Sequence, residues 1–269
     1  MQELIELLSY DFFRKALLAA VLASISCGII GTYIVSRRIV FISGGITHSS
    51  FGGIGLAFFL GLNPLLGAVI FAILSGLGIQ YFVQKADVRE DSSIAIWWSL
   101  GMAMGVIFIF LTPGYTPNLM SYLFGNILTV TNAELWMMLS LNIIILLFFF
   151  FFYRTVLYIA FDEEFAKASG IPVALFNYLL ITLIALTVVL NIRVVGIILI
   201  LSMLTIPQAT ANIFTKDFKM LIVLSTMFAF IGTTSGLLIS YFANIPSGAT
   251  IIFTLVIIFA GMRLINYLR

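Results

Sequence analysis

The sequence predicts an all-α fold, a polytopic transmembrane helical bundle of eight or nine crossings with one short cytoplasmic helix. The chain of 269 residues is 62% hydrophobic and only 9% charged, which leaves too little polar surface to cover a soluble globule of this size. Apolar runs of about 20 residues, the length that crosses the hydrocarbon, recur from one end to the other. Because no stretch is left over for a soluble domain, we expect residues 1–269 to form a single membrane domain.

Hydropathy and the breaks between apolar runs predict nine spans. They lie at about 16–36, 41–62, 64–84, 92–112, 134–153, 173–191, 194–213, 220–241 and 247–266. The span 194–213 is the weakest of them because Pro207, in "TIPQATA", lacks a backbone donor and breaks a helix. A version with eight crossings therefore remains open.

The distribution of basic residues predicts the orientation. With segment 154–172 in the cytoplasm, ten of the 13 lysines and arginines fall inside, and reversing the chain would invert that ratio. Because basic residues favour the cytoplasmic side, we expect the N-terminus outside and the C-terminus in the cytoplasm. The inside set is Arg37, Arg38, Lys85, Arg89, Arg154, Lys167, Lys216, Lys219, Arg263 and Arg269, and the outside set is Arg14, Lys15 and Arg193.

The acidic residues exclude several function classes. All 11 of them fall in the loops or at the ends of the predicted spans, whereas ion-coupled carriers and pumps place a carboxylate at membrane depth to carry their coupling ion. The same absence removes paired-carboxylate catalysis, and a single histidine cannot form an HExxH zinc site. We therefore expect a protein that is not an enzyme and that draws its energy from another molecule.

Net charge and cysteine content limit the kinds of partner and cross-link that we expect for this chain. A net charge of +2 is too small to indicate nucleic acid as a partner. Cys27 is the one cysteine in the sequence, so it cannot form a disulfide within the chain, and we interpret it as a packing residue. The lipid bilayer is the first partner that the composition indicates.

The stretch "SGGITHSSFGG", residues 43–53, holds the only histidine of the chain, His48. Glycine loosens a helix and lets backbones approach closely, so we expect either a broken helix or tight helix contacts here. The hydroxyls of Ser43, Thr47, Ser49 and Ser50 add a polar surface at the depth where transporters place their substrates. His48 is either a ligand in a translocation path or a packing residue that hydrogen-bonds a neighbouring helix.

The stretch "FDEEFAKASGIP", residues 161–172, predicts a short amphipathic helix on the cytoplasmic face. Its glycine and proline end the helix abruptly. Phe161, Phe165 and Ala168 recur about one helical turn apart and form a small apolar ridge that a partner groove can receive. The alternative is an ordinary solvated loop whose charges are surface decoration.

These segments together resemble the permease subunit of the zinc/manganese ABC importers. The resemblance covers essentially the whole chain and lies in four stretches that occur in family order. It implies a permease that pairs with a second copy of itself, with a cytoplasmic ABC ATPase dimer and with an extracellular or periplasmic metal-binding protein, in a prokaryotic cell (inner) membrane. The four stretches are "SRRIVFISGGITHSSFGG", "LMSYLFGNILTVT", "FDEEFAKASGIP" and "VVGIILILSMLTIPQATA".

The resemblance also implies roles for individual residues. His48 would face the translocation path near the two-fold axis, and from their position beside it we take Ser43, Thr47 and Ser49 as candidate helpers. The coupling helix that docks on the ATPase would run from Asp162 to Gly170. Its contact residues would be Asp162, Glu163, Glu164, Phe165, Lys167 and Gly170.

Two departures from the family pattern bear on which metal ion is transported. Many members carry Asp four residues before the histidine and another Asp before the middle "LFG" segment, where this chain has Gly44 and Asn118. A lone imidazole suits Zn²⁺, whereas Mn²⁺ prefers carboxylate oxygen, so we expect zinc as the transported cation, ahead of manganese or iron. Two copies of His48 could converge across a dimer axis. The alternatives are an ABC permease for a metal chelate or other small solute, and a membrane scaffold without transport.

Overall fold

The computed structural model describes residue 7, residues 9–113, residue 125 and residues 127–268, except for the side chains of Arg193, Val194 and Ile197. Over these ranges the chain is helical and contains no β-strand, which confirms the predicted all-α bundle. The helices are α1 Asp11–Arg37, α2 Val40–Phe59, α3 Pro64–Lys85, α4 Glu90–Leu111, α5 Asn132–Phe161, α6 Glu163–Ala168, α7 Val173–Val195, α8 Ile197–Met203, α9 Ile206–Ala211, α10 Phe218–Ala243 and α11 Ser247–Tyr267, with a 3-10 turn at Ile127–Thr129.

Seven described helices are long and apolar enough to cross a bilayer: α1, α3, α4, α5, α7, α10 and α11. Helix α2 has 20 residues, which at 1.5 Å per residue cover about 30 Å, the thickness of the hydrocarbon. Its glycines, hydroxyls and histidine lower its hydropathy below that of the other seven. Because α2 packs against both α3 and α4, it needs less apolar surface than a helix that faces lipid. These eight helices are compatible with eight crossings, the version that the sequence left open beside nine.

The predicted span 194–213 is not one continuous helix. Helix α7 runs on to Val195, and Gly196 then adopts a φ of 84°, in the left-handed region that favours glycine. The two helices that follow, α8 and α9, have only 7 and 6 residues. Pro207 lies in the first turn of α9, so the break falls just before the proline, as its missing N–H requires.

Side-chain caps fix where several helices begin. The side chain of Asn63 accepts a hydrogen bond from the backbone N–H of Leu65 at 2.9 Å, and Pro64 starts α3. Before α5, Thr131 and Glu134 form a capping box: the Thr131 N–H donates to Glu134 Oε2 at 2.8 Å, and the Glu134 N–H donates to Thr131 Oγ1 at 3.3 Å. These bonds satisfy backbone donors that a helix start leaves open.

Contacts divide the chain into two compact units. The first comprises residues 1–38, 120–151 and 191–269, and the second comprises residues 39–119 and 152–190. In the first unit, α10 packs against both α1 and α11. In the second unit, α2 is the helix between α3 and α4. Both groups of predicted site residues, those around His48 and those of α6, lie in the second unit.

Candidate functional site

Helix α2 lies in backbone contact with α4 because glycines meet between them. A Cβ on Gly52 would lie 2.7 Å from the carbonyl oxygen of Gly101, and a Cβ on Gly101 would lie 2.4 Å from the Cα of Ser49. One turn further along, a Cβ on Gly55 would lie 2.5 Å from the carbonyl oxygen of Gly105. Side chains cannot occupy such distances, so the glycines permit the approach and fix the register between the two helices.

The opposite side of α2 is held by α3 in the same way. A Cβ on Gly53 would lie 2.0 Å from the carbonyl oxygen of Gly67, and a Cβ on Gly67 would lie 2.2 Å from that of Gly53. The hydroxyl of Ser49 donates to the hydroxyl of Ser75 at 2.7 Å. The tight helix contacts predicted from the glycines of α2 are therefore present on both sides, and α2 itself is not broken.

His48 is half-buried on α2, and its imidazole stacks on the indole of Trp98 from α4. The ring centroids lie 4.2 Å apart and the ring planes differ by 6°. Stacking covers a face of the imidazole, while both ring nitrogens lie at the edge of the ring, in its plane. Within the described ranges no hydrogen bond or ion pair involves the His48 side chain. The predicted packing role, a hydrogen bond to a neighbouring helix, is not what the structure shows for this side chain.

The three hydroxyl residues predicted to help His48 are fully buried. Ser43 Oγ donates to the carbonyl oxygen of Val40 at 2.7 Å, Thr47 Oγ1 donates to that of Ser43, and Ser49 Oγ also donates to that of Ile46 at 3.0 Å. The protons of Ser43 and Thr47 are thus bound to the backbone of their own helix, a common way to satisfy hydroxyls in an apolar setting. The single proton of Ser49 lies within reach of both the Ile46 carbonyl and the Ser75 hydroxyl. The lone pairs of all three hydroxyls remain able to accept a hydrogen bond or contact a cation.

No cluster of three or more His, Cys, Asp or Glu side chains that could hold a metal ion occurs among the described residues. Gly44, four residues before His48, offers no side chain, and Asn118 lies outside the described residues. Among the described residues His48 therefore supplies a single imidazole from α2, and the remaining ligand atoms for a metal would be oxygens of hydroxyls, carbonyls or water, or groups of another chain.

The predicted amphipathic helix is present as α6, and its ends are defined by the predicted residues. The side chain of Asp162 caps the start by accepting a hydrogen bond from the Phe165 N–H at 2.9 Å. At the other end Gly170 has a φ of 77°, its N–H donates to the Lys167 carbonyl at 3.0 Å, and the Ile171 N–H donates to the Ala166 carbonyl at 3.1 Å. Such a glycine-centred ending stops a helix sharply.

The surface of α6 combines an apolar ridge with paired charges. Phe161, Phe165 and Ala168 are exposed, and the Phe165 ring, 51% exposed, packs edge-on against Tyr158 at 5.3 Å. Lys167 lies 2.9 Å from Glu164 and 3.4 Å from Glu163. The hydrogen bond that Lys167 donates to the Glu164 carboxylate raises the pKa of Lys167 above its usual range. The lysine is thus paired with acidic residues of its own helix, and Phe161 and Phe165 leave an exposed apolar surface beside these charges.

Sequence reasoning missed Gln208, a residue of the first unit that is only 1% exposed. Because Pro207 has no N–H, the carbonyl of Met203 loses the donor that an unbroken helix would supply. The Nε2 of Gln208 donates to that carbonyl at 3.3 Å and to the carbonyl of Cys27 on α1 at 2.8 Å. The available signal was a glutamine directly after a proline in an otherwise apolar run.

Trp98 was missed as well. Its signal in the sequence was weak: the pair Trp97 and Trp98 lies about one turn before Gly101, on a span whose partner helix the sequence does not identify.

Comparison with known proteins agrees with this architecture. The ABC 3 transport family matches residues 9–265. The manganese transport system membrane protein MntC of Halalkalibacterium halodurans is 36% identical over 95% of this chain and 87% of its own length. The manganese import system permease protein ScaB of Streptococcus gordonii is 34% identical over 96% of this chain and 93% of its own length. The solved structure of PsaBC from Streptococcus pneumoniae in complex with Fab superposes with a TM-score of 0.86 at 33% identity, covering 97% of this chain and 94% of that one. The chain therefore belongs to the ABC 3 transport family and is a multi-pass membrane component of a bacterial ABC importer.

Proposed function

We propose that this chain is the permease subunit of an ATP-driven importer of a divalent transition-metal cation. The observation that carries the proposal is the family match over residues 9–265, together with relatives of nearly full coverage that are named for manganese import. The whole chain then serves as one transport domain. It moves the ion and carries out no chemical reaction itself.

His48 is the side chain we assign to the path. It is the only histidine of the chain, its ring nitrogens are free of hydrogen bonds among the described residues, and it lies on a helix held on both sides by glycine contacts. Such a rigid setting suits a site that must present the same ligand to each passing ion. The buried hydroxyls of Ser43, Thr47 and Ser49 supply additional oxygen lone pairs on the same helix.

Two observations favour different metals as the transported ion. A lone imidazole without the carboxylate that Gly44 replaces suits zinc, and zinc is our choice from the chemistry of this chain. The names of the relatives, MntC and ScaB, favour manganese. Weak binding is no obstacle to either ion, because a transported ion must leave as well as enter.

A single imidazole per chain makes a second copy part of the proposed function. Two copies of His48 near a two-fold axis would give a site with two nitrogens. An extracellular or periplasmic binding protein would deliver the ion and supply most of the selectivity. These partners follow from the resemblance to importer permeases. An N-terminus outside and a C-terminus in the cytoplasm require an odd number of crossings, so the proposed orientation takes the interrupted segment 194–213 as a ninth crossing beside the eight long helices.

We assign α6 to the contact with the ATPase. Ala166 is buried while Phe161 and Phe165 are exposed, so α6 has one buried side and one largely exposed apolar side. The cap of Asp162 and the left-handed Gly170 fix both ends of the element. A short helix of defined length with an apolar ridge is suited to enter a groove on another protein.

The test is uptake into vesicles that contain the permease and its ATPase. ATP-dependent accumulation of Zn²⁺, Mn²⁺ and Fe²⁺ is followed with an enclosed metal indicator, and a non-hydrolysable ATP analogue serves as control. The proposal predicts ATP-dependent uptake of at least one of these free ions, and the ranking decides between zinc and manganese. Uptake of a metal chelate without uptake of any free ion would replace the proposal by its first alternative. No ATP-dependent transport and no ATPase binding would favour the scaffold.

A further inference from the structure

We propose that Trp98 is a positioning residue for His48: by stacking on the imidazole it fixes the ring plane and thereby sets the affinity of His48 for a divalent cation. This inference rests on the proposed function, because it takes His48 as a metal contact. It assigns a role to a residue that carries no ligand atom for the metal, since the indole N–H of tryptophan is a donor only.

The glycine contact between α2 and α4 holds the two rings in place. Ser49, which follows His48 directly, touches Gly101 through its backbone, with 2.4 Å from its Cα to a Cβ built on that glycine. Trp98 precedes Gly101 by three residues, which is about one helical turn. The ring stack therefore extends the glycine contact by one turn, and the indole cannot leave the imidazole unless its side chain changes rotamer or the helices separate.

The geometry of the stack suits metal binding. A metal binds the lone pair of an imidazole nitrogen, which lies in the plane of the ring, whereas the indole occupies the space over a face. The stack therefore leaves the coordinating edge open. It also restricts rotation of the ring before the metal arrives, so less side-chain freedom is lost on binding.

The neighbouring Trp97 provides a matched control. Its ring lies 6.1 Å from that of Phe82, and a Cβ on Gly78 would lie 2.0 Å from its Cζ2 atom. Trp97 is thus packed against α3, while Trp98 meets His48 on α2. Two adjacent indoles on the same helix differ in whether they touch the histidine, so their substitutions separate positioning from helix packing.

The single histidine allows a direct experiment. The full-length chain, purified with a tag that contains no histidine and placed in lipid nanodiscs, is labelled with ¹³C,¹⁵N-histidine, so that every ring signal reports on His48. The signals are titrated with Zn²⁺ for shift changes and with Mn²⁺ for paramagnetic broadening. The proteins compared are the wild type, Trp98→Phe, Trp98→Leu and Trp97→Leu, each checked for an unchanged thermal midpoint.

We expect Trp98→Leu to weaken the apparent affinity of His48 about tenfold, a change of about 1.4 kcal/mol. Trp98→Phe retains an aromatic face and should stay within about threefold of the wild type, and Trp97→Leu should match the wild type. Equal affinities in the wild type and Trp98→Leu, or an equal loss in Trp97→Leu, would overturn the positioning role. Ring signals in the wild type that respond to neither metal would instead overturn His48 as a ligand, and the proposed path with it.

Discussion

Gln208 gives the sharpest test of how the broken segment after α7 is held together. Its Nε2 reaches the carbonyls of Met203 and Cys27 from a position that is 1% exposed. The change Gln208→Leu removes both bonds at similar side-chain size. The carbonyl of Cys27 lies within α1 and can still accept the helical hydrogen bond of its own helix. The carbonyl of Met203 has no such alternative, because Pro207 has no N–H to donate to it.

The expected loss of stability comes from the carbonyl of Met203, which the substitution leaves without a donor. Leaving a buried acceptor without a donor costs about 1–3 kcal/mol, so we expect Gln208→Leu to lower the free energy of unfolding by about 2 kcal/mol. In a Pro207→Ala background the new N–H of residue 207 can serve the Met203 carbonyl. The cost of Gln208→Leu should then fall by about 1 kcal/mol, a coupling typical of residues that share one partner.

The assay is reversible unfolding of the purified protein by SDS in mixed micelles, measured for the wild type, both single variants and the double variant. Gln84→Leu, the same chemical change on α3 at a half-buried glutamine, is the matched control and should cost less than about 0.5 kcal/mol. Unfolding of Gln208→Leu at the wild-type free energy, or an equal loss with proline and with alanine at position 207, would contradict a role of Gln208 in satisfying the Met203 carbonyl.

Three further predictions concern the helix contacts, the docking helix and the topology. Gly101→Ala forces a methyl group against the backbone of Ser49 and should cost about 1–3 kcal/mol, read as a lower thermal midpoint; an unchanged midpoint would refute the α2–α4 contact. Phe165→Asp should release the ATPase in co-purification from a permease of normal stability, whereas Phe165→Leu should retain it; undiminished binding by the aspartate variant would remove α6 from the interface. A cysteine at Leu62 should react with an impermeant thiol reagent from outside and one at Ala86 should not, because the predicted topology puts them on opposite sides of the membrane. The native Cys27 is buried and should give little background; the opposite pattern would reverse the topology.

Much of the fold was predictable because membrane helices follow simple length and hydropathy rules. The starts of α3 and α6 also follow local rules, since Asn63 and Asp162 cap the first turns that the sequence indicates. The break near Pro207 was predictable from its missing N–H. What could not be predicted is that Gln208 donates both to the freed carbonyl of Met203 and to the carbonyl of Cys27 on α1, because the second contact depends on three-dimensional packing.

The candidate site was predictable in part, because glycines in an apolar helix are typical of close helix contacts. The glycines around His48 indicated close helix contacts, and these are present at Gly52 and Gly53. The partner of the imidazole was not predictable, because the face of α4 that meets α2 depends on a register set by Gly101 and Ser49 across two separate helices. A one-turn change in that register would replace Trp98 by another residue.

We propose His48 as the principal side-chain metal contact of each subunit, and the substitution His48→Gln removes that contact. Glutamine keeps hydrogen bonding and a similar size but is a much poorer ligand for zinc. In vesicles that contain the permease and its ATPase, we expect the initial rate of ATP-dependent uptake of the transported ion to fall at least about tenfold, since even an outer-shell partner of a metal ligand contributes that much. Thermal stability and ATPase binding should remain those of the wild type. Uptake at the wild-type rate by well-folded His48→Gln protein would contradict the account and favour a chelate or another small solute as the cargo.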